Sequence, residues 1–147
     1  MPVPVGISLQ QHYAATPERV FRAWTTPDEL KRWWNPGADY ACHKAEIDPR
    51  VGGTYFITMD CPNGSQRSVK GKYLEVDPPR RLVFTWLHEG HDMSKETIVS
   101  VTMDPAPGGG CLMTLKHEGF PDNNMAREHA QGWSRIVGSM EKALAEG

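Results

Sequence analysis

The sequence predicts an α+β fold in which a curved antiparallel sheet of about seven strands wraps around a long C-terminal helix. Three observations predict it. From Asp122 to about Glu146, apolar or aromatic residues recur at steps of three and four (Met125, His129, Trp133, Ile136, Val137, Met140, Leu144), which draws one stripe along a helix. Between Ala38 and His117, short alternating runs are separated by closely spaced turn signals, the grammar of an antiparallel meander rather than of parallel strands with crossover helices. Only the terminal helix, roughly 35 Å long at about 1.5 Å per residue, can cover the apolar face of such a sheet.

The elements follow in order. Val3 to Ala14 is a strand, with Ile7, Leu9 and Tyr13 on one face. Thr16-Pro17-Glu18 then opens a helix: a capping hydroxyl, a proline that needs no amide partner, and an acid suited to the helix dipole. Val20, Phe21 and Trp24 form its buried face. Thr26-Pro27-Asp28-Glu29 repeats the start signal, giving a second short helix with Leu30, Trp33 and Trp34 that Asn35-Pro36-Gly37 stops. Strands are expected at Ala45 to Asp48, from the Gly52-Gly53 opening to Asp60, Ser68 to Val76, Arg81 to Glu89, Thr97 to Met103 and Cys111 to His117. Pro62-Asn63-Gly64-Ser65, Asp77-Pro78-Pro79 and Gly108-Gly109-Gly110 separate them. Strand, two short helices, six strands and a long helix make a helix-grip architecture, with the short helices plugging one end of the sheet.

The chain has 147 residues, which suits one domain spanning 1–147. Its 16 basic and 18 acidic side chains nearly cancel, which argues against nucleic acid or a polybasic membrane contact as partner. No apolar run approaches the roughly 20 residues of a membrane span, and MPVPVGISLQ lacks the regions of a signal peptide, so a soluble, cytoplasmic protein is expected. Cys42, Cys61 and Cys111 are odd in number and far apart, as reduced thiols rather than a disulfide framework would be.

Several strings carry a resemblance. ATPERVFRAWTTPDELKRWW with the following Pro36, GGTYF, GKYLEVDPPRRLVFTW, TLKHEGF and the GW of the last helix closely resemble the activator-of-heat-shock-protein-90-ATPase homologues, a family of the START-like, or SRPBCC, superfamily. The similarity runs from about Ser8 to Leu144. It implies a START-like helix-grip fold with a cavity between sheet and terminal helix. Members of the superfamily bind lipids, hormones, polyketides or other apolar molecules, some catalyse reactions, and the domain behind the family name assists a chaperone. Cys111-Leu112 stands where relatives often carry Thr-Arg, and Lys116 where a small hydroxyl residue is common.

If the large strand residues face the helix, the expected ligand-binding wall includes Tyr55, Ile57 and Met59, Phe84 and Trp86, Val101, Met113 and Leu115. His129, Trp133 and Ile136 lie across from them; of Trp33 and Trp34, at least one is expected to plug the end of the sheet and the other to lie at the cavity mouth, with Trp34 counted among the ligand-binding residues. Such a wall has the profile of a small-molecule pocket, and also that of an ordinary core. His117 shares a strand face with Met113 and Leu115, and the helix stripe brings His129 toward it; either imidazole suits ligand orientation, acid–base work or plain structural hydrogen bonding. Gly132 beside Trp133 suits close helix approach or space for a ligand.

Other chemistry finds less support. His88 and His91, with Glu89 and Asp92, sit in a polar loop, and no Cys or His set has zinc-site spacing, so no metal or other cofactor is expected. Neither Ser134 nor Ser139 lies in a nucleophile elbow, and the glycine triplet opens no helix that would hold phosphate. The leading function is binding of an apolar or lipid-like small molecule. The alternatives are an enzyme acting on a bound apolar substrate with a histidine acid or base, and a stress-response protein that meets a heat-shock chaperone. Monomer and homodimer both stay open.

Overall fold

The element order is β1 (Val5–Tyr13), α1 (Pro17–Thr25), α2 (Pro27–Trp33), β2 (Ala41–Ile47), β3 (Thr54–Asp60), β4 (Gln66–Asp77), β5 (Arg81–Glu89), β6 (Thr97–Pro105), β7 (Cys111–Phe120) and α3 (Asn123–Glu146). The computed structural model describes residues 5–35, 40–89, 96–120 and 122–146. Val3, the Pro36-Gly37 stop and His91 lie outside them, as does the side chain of His88. The seven strands form one antiparallel sheet in the order β1-β7-β6-β5-β4-β3-β2, so the first strand pairs with the last. Ile7 stands opposite His117 and Leu9 opposite Leu115.

Local chemistry accounts for the helices. The Thr16 hydroxyl accepts from the Arg19 amide at 3.2 Å, with Pro17 and Glu18 in the first turn of α1. Thr26 ends α1 and starts α2 but makes no side-chain cap bond, so Pro27, Asp28 and Glu29 carry the second start. Trp33 Nε1 donates to the Ala23 carbonyl at 3.0 Å and locks the two helices together. At α3, Asp122 Oδ1 accepts from the Met125 amide at 2.8 Å.

The strands bury alternate residues. Tyr55, Ile57 and Met59 of β3, Leu82, Phe84 and Trp86 of β5, Val99, Val101 and Met103 of β6, and Cys111, Met113, Leu115 and His117 of β7 all face inward. Each buried aliphatic side chain contributes about 1.5–3 kcal/mol. β4 crosses β5 tightly at Gly71, where a Cβ would stand 1.9 Å from the Thr85 carbonyl oxygen, and the register shifts between Tyr73 and Glu75.

The placement of α3 shapes everything else. It packs chiefly against β1 and α2, with smaller contacts to α1 and β7. The Tyr13 hydroxyl donates to the Val137 carbonyl at 2.7 Å and pins the helix to that side of the sheet. Trp133, Ile136, Val137 and Met140 are buried beneath it. Over β3, β4 and β5 the helix stands off, and that gap is the site described next. Cys42, Cys61 and Cys111 are free thiols. Among the described residues no helix is long and apolar enough to cross a membrane.

Candidate functional site

The gap between α3 and strands β3–β5 is a cleft of about 320 Å³. Trp34, Met59, Trp86, Trp133 and Ile136 line it as buried side chains. Tyr40, Met125, His129 and Gly132 line it half-buried. Arg67 of β4 and Glu128, Gln131 and Arg135 of α3 line it while exposed to solvent, so the cleft has an apolar base and a polar, open rim.

Its base belongs to one cluster of all five tryptophans. Ring centroids run 4.7 Å from Trp24 to Trp33, 5.5 Å from Trp33 to Trp34, 5.4 Å from Trp34 to Trp133 and 5.1 Å from Trp133 to Trp86. Tilted and edge-on aromatic pairs add about 0.5–1.5 kcal/mol each beyond their buried area, so this wall is stiff. The Trp34 indole is 1 % exposed, yet its Nε1–H has no acceptor among the described residues.

A hydrogen-bond chain holds the back of the wall. Trp133 Nε1 donates to His117 Nδ1 at 2.9 Å. An indole N–H only donates, so Nδ1 accepts and carries no proton. The proton of the neutral ring is then on Nε2, which faces the Thr97 hydroxyl at 2.6 Å and donates to it. Thr97 donates in turn to the Trp86 carbonyl at 3.4 Å. His117 is 0 % exposed and does not line the cleft; it bridges the helix to β5 and β6 behind the tryptophans. His129 differs. Its Nδ1 donates to the Met125 carbonyl at 2.9 Å, which leaves Nε2 as the accepting nitrogen of the neutral ring, and it lies on the cleft wall. The two histidines meet edge to face, with ring centroids 5.3 Å apart.

Of the residues expected to bind ligand, the structure brings Trp34, Met59, Trp86, His129, Trp133 and Ile136 together around this cleft. Tyr55, Ile57 and Phe84 instead surround a void of about 10 Å³ beneath Leu30 and Trp34. Val101, Met113 and Leu115 are fully buried in the packed half of the core under α1 and α3. Sequence reasoning missed Tyr40, Arg67, Met125, Glu128, Gln131 and Arg135. For Arg67 a signal exists: it has the parity of Val69 and Tyr73, the buried residues of β4.

Neither Cys42 nor Cys111 offers an activated nucleophile. Burial pushes the Cys42 and Cys111 thiols up to about 11, away from the reactive thiolate. Among the described residues no group of three or more side chains is arranged to hold a metal ion.

A seven-stranded antiparallel sheet, a terminal helix standing over it and two short helices closing one end define a START-like, helix-grip protein. Residues 14–145 match the family described as activator of Hsp90 ATPase homolog 1-like protein, and the chain belongs to that family. Among solved structures, a Chromobacterium violaceum protein shares 28% identity at a TM-score of 0.86, covering 95% of this chain and 96% of that one. An AHSA1 protein from Silicibacter pomeroyi shares 26% identity at 0.83, covering 96% and 98%. A Rhodobacter sphaeroides protein shares the fold at 24% identity and 0.81, covering 96% and 93%. No curated protein matches the chain.

Proposed function

We propose that this chain is a single START-like domain that binds a small, largely apolar molecule in the cleft between α3 and β3–β5. The observation that carries the proposal is the cleft itself: about 320 Å³ with a base of buried Trp, Met and Ile side chains beneath an exposed polar rim. That volume is near the lower end of the roughly 300–1,000 Å³ of small-molecule sites, so it suits a compound of one or two rings, or a short chain, better than a two-tailed lipid. Both ring nitrogens of His117 are committed to Trp133 and Thr97, which argues against acid–base work by that residue.

Tryptophan fluorescence and thermal shift against naphthalene, indole and short-chain compounds test the proposal. Saturable quenching with a matching rise in Tm is the expected result, since a ligand at about 100 times its Kd stabilises by about 2.7 kcal/mol. Gly132→Leu grows a side chain from the cleft wall and relieves a helical glycine, so it abolishes binding while leaving stability unchanged or raised by up to about 1 kcal/mol. No response to any compound, or binding that Gly132→Leu leaves intact, refutes the assignment.

A further inference from the structure

We propose that the ligand of this cleft is an organic acid, with an apolar ring-bearing body on the tryptophan base and a carboxylate at the mouth on Arg67. The inference rests on the small-molecule reading above and names its chemical class. Along β4 the inward positions run Arg67, Val69, Gly71 and Tyr73, and Val69 and Tyr73 are buried. Arg67 pairs across the ladder with Met59, and both line the cleft. A guanidinium on the concave face of a sheet suits an anion, and none pairs with it among the described residues. Arg67 makes no ion pair or hydrogen bond among the described residues. The neighbouring acid, Asp60, is engaged by His43 Nδ1 at 3.2 Å and by Gln66 Nε2 at 3.2 Å. Glu128, also on the rim, forms no ion pair among the described residues, so it does not cancel Arg67 by contact.

The deep polar atom agrees with the rim. Trp34, on the cleft wall, has a buried N–H that lacks an acceptor among the described residues, and a buried donor is unfavourable until an oxygen reaches it. Guanidinium and indole both donate and cannot accept. The matching ligand therefore offers acceptors: a charged oxygen pair for the planar guanidinium, and a further oxygen or π-rich atom for the indole.

The test compares naphthaleneacetic acid with its methyl ester and with naphthyl phosphate on the intact chain, by calorimetry and tryptophan quenching. The acid is expected to bind at least about tenfold tighter than the ester at low salt, with the preference shrinking as salt screens an exposed pair. Arg67→Gln weakens the acid by at least about tenfold and so removes the preference; Arg67 is exposed, and circular dichroism and Tm verify that the variant folds. Equal or tighter binding of the ester, or an acid preference that survives Arg67→Gln, overturns the acid assignment and leaves the small-molecule reading standing. Tighter binding of the phosphate overturns the carboxylate in favour of a phosphorylated ligand. Binding of none of the three overturns both readings.

Discussion

Thr97→Val isolates the hydrogen-bond chain behind the cleft. The substitution nearly conserves volume and removes only the hydroxyl that receives His117 Nε2–H at 2.6 Å and reaches the Trp86 carbonyl at 3.4 Å. His117 is 0 % and Thr97 1 % exposed, so water cannot replace the lost acceptor. A buried donor left unsatisfied costs about 1–3 kcal/mol, and the added methyl returns somewhat less than 1 kcal/mol, for a net loss of about 1 kcal/mol. For a chain of this size each kcal/mol moves Tm by about 2–4 °C, so a fall of about 2–4 °C is expected. Urea unfolding followed by tryptophan fluorescence and by far-ultraviolet circular dichroism measures it. Thr102→Val, at a half-buried position of β6 whose neighbours Val101 and Met103 point inward, serves as the control and changes stability by no more than about 0.5 kcal/mol. If Thr97→Val costs no more than this control, His117 does not hold the wall through Thr97.

Two further predictions concern the frame around the site. Gly71→Ala places a methyl 1.9 Å from the Thr85 carbonyl and forces β4 and β5 apart; a loss of about 3 kcal/mol is expected by denaturant titration, and a loss below about 1 kcal/mol would contradict the close crossing. Stability should also fall in alkali. Burial raises Cys42 and Cys111 from 9.0 to about 11, so the folded chain keeps these protons after the unfolded chain has lost them. Their contribution is therefore full below pH 9.0 and declines as pH rises toward about 11, damped at half-exposed Cys42 by solvent. Burial likewise raises Tyr13, Tyr55 and Tyr73 above 10.0, which extends the decline. A Tm that stays flat from about pH 8 to about pH 11 would refute this account.

The fold was legible because each element wrote its period into the chain. Leu82, Phe84 and Trp86 alternate, and Trp133, Ile136, Val137 and Met140 recur at helical steps, so the side of each element facing the core follows from spacing alone. The cleft was legible only in its apolar half. Trp34, Met59, Trp86, Trp133 and Ile136 carry the pattern of buried residues, but so do Val101, Met113 and Leu115, which the structure packs solid. What separates the two sets is the lateral position of α3, held toward β1 and β7 by contacts such as Tyr13 to Val137, and no local pattern encodes that offset. The rim was hidden for another reason. Glu128, Gln131 and Arg135 look like any solvated helix face until a gap opens beside them.

The pairing of β1 with β7 sets when the molecule can assemble. Tyr13 lies opposite Cys111, so on a ribosome adding about 5–20 residues per second the first strand waits roughly 5–20 s for its partner to be made. The last tryptophan of the cluster arrives later still, on the helix that ends the described chain. Until then the inward faces of β3 and β5, rich in Tyr, Ile, Met, Phe and Trp, have no cover, and a nascent chain in this state is a client for holding chaperones and a seed for aggregation. Premature termination anywhere before α3 is thus expected to yield insoluble product rather than a weakened binder.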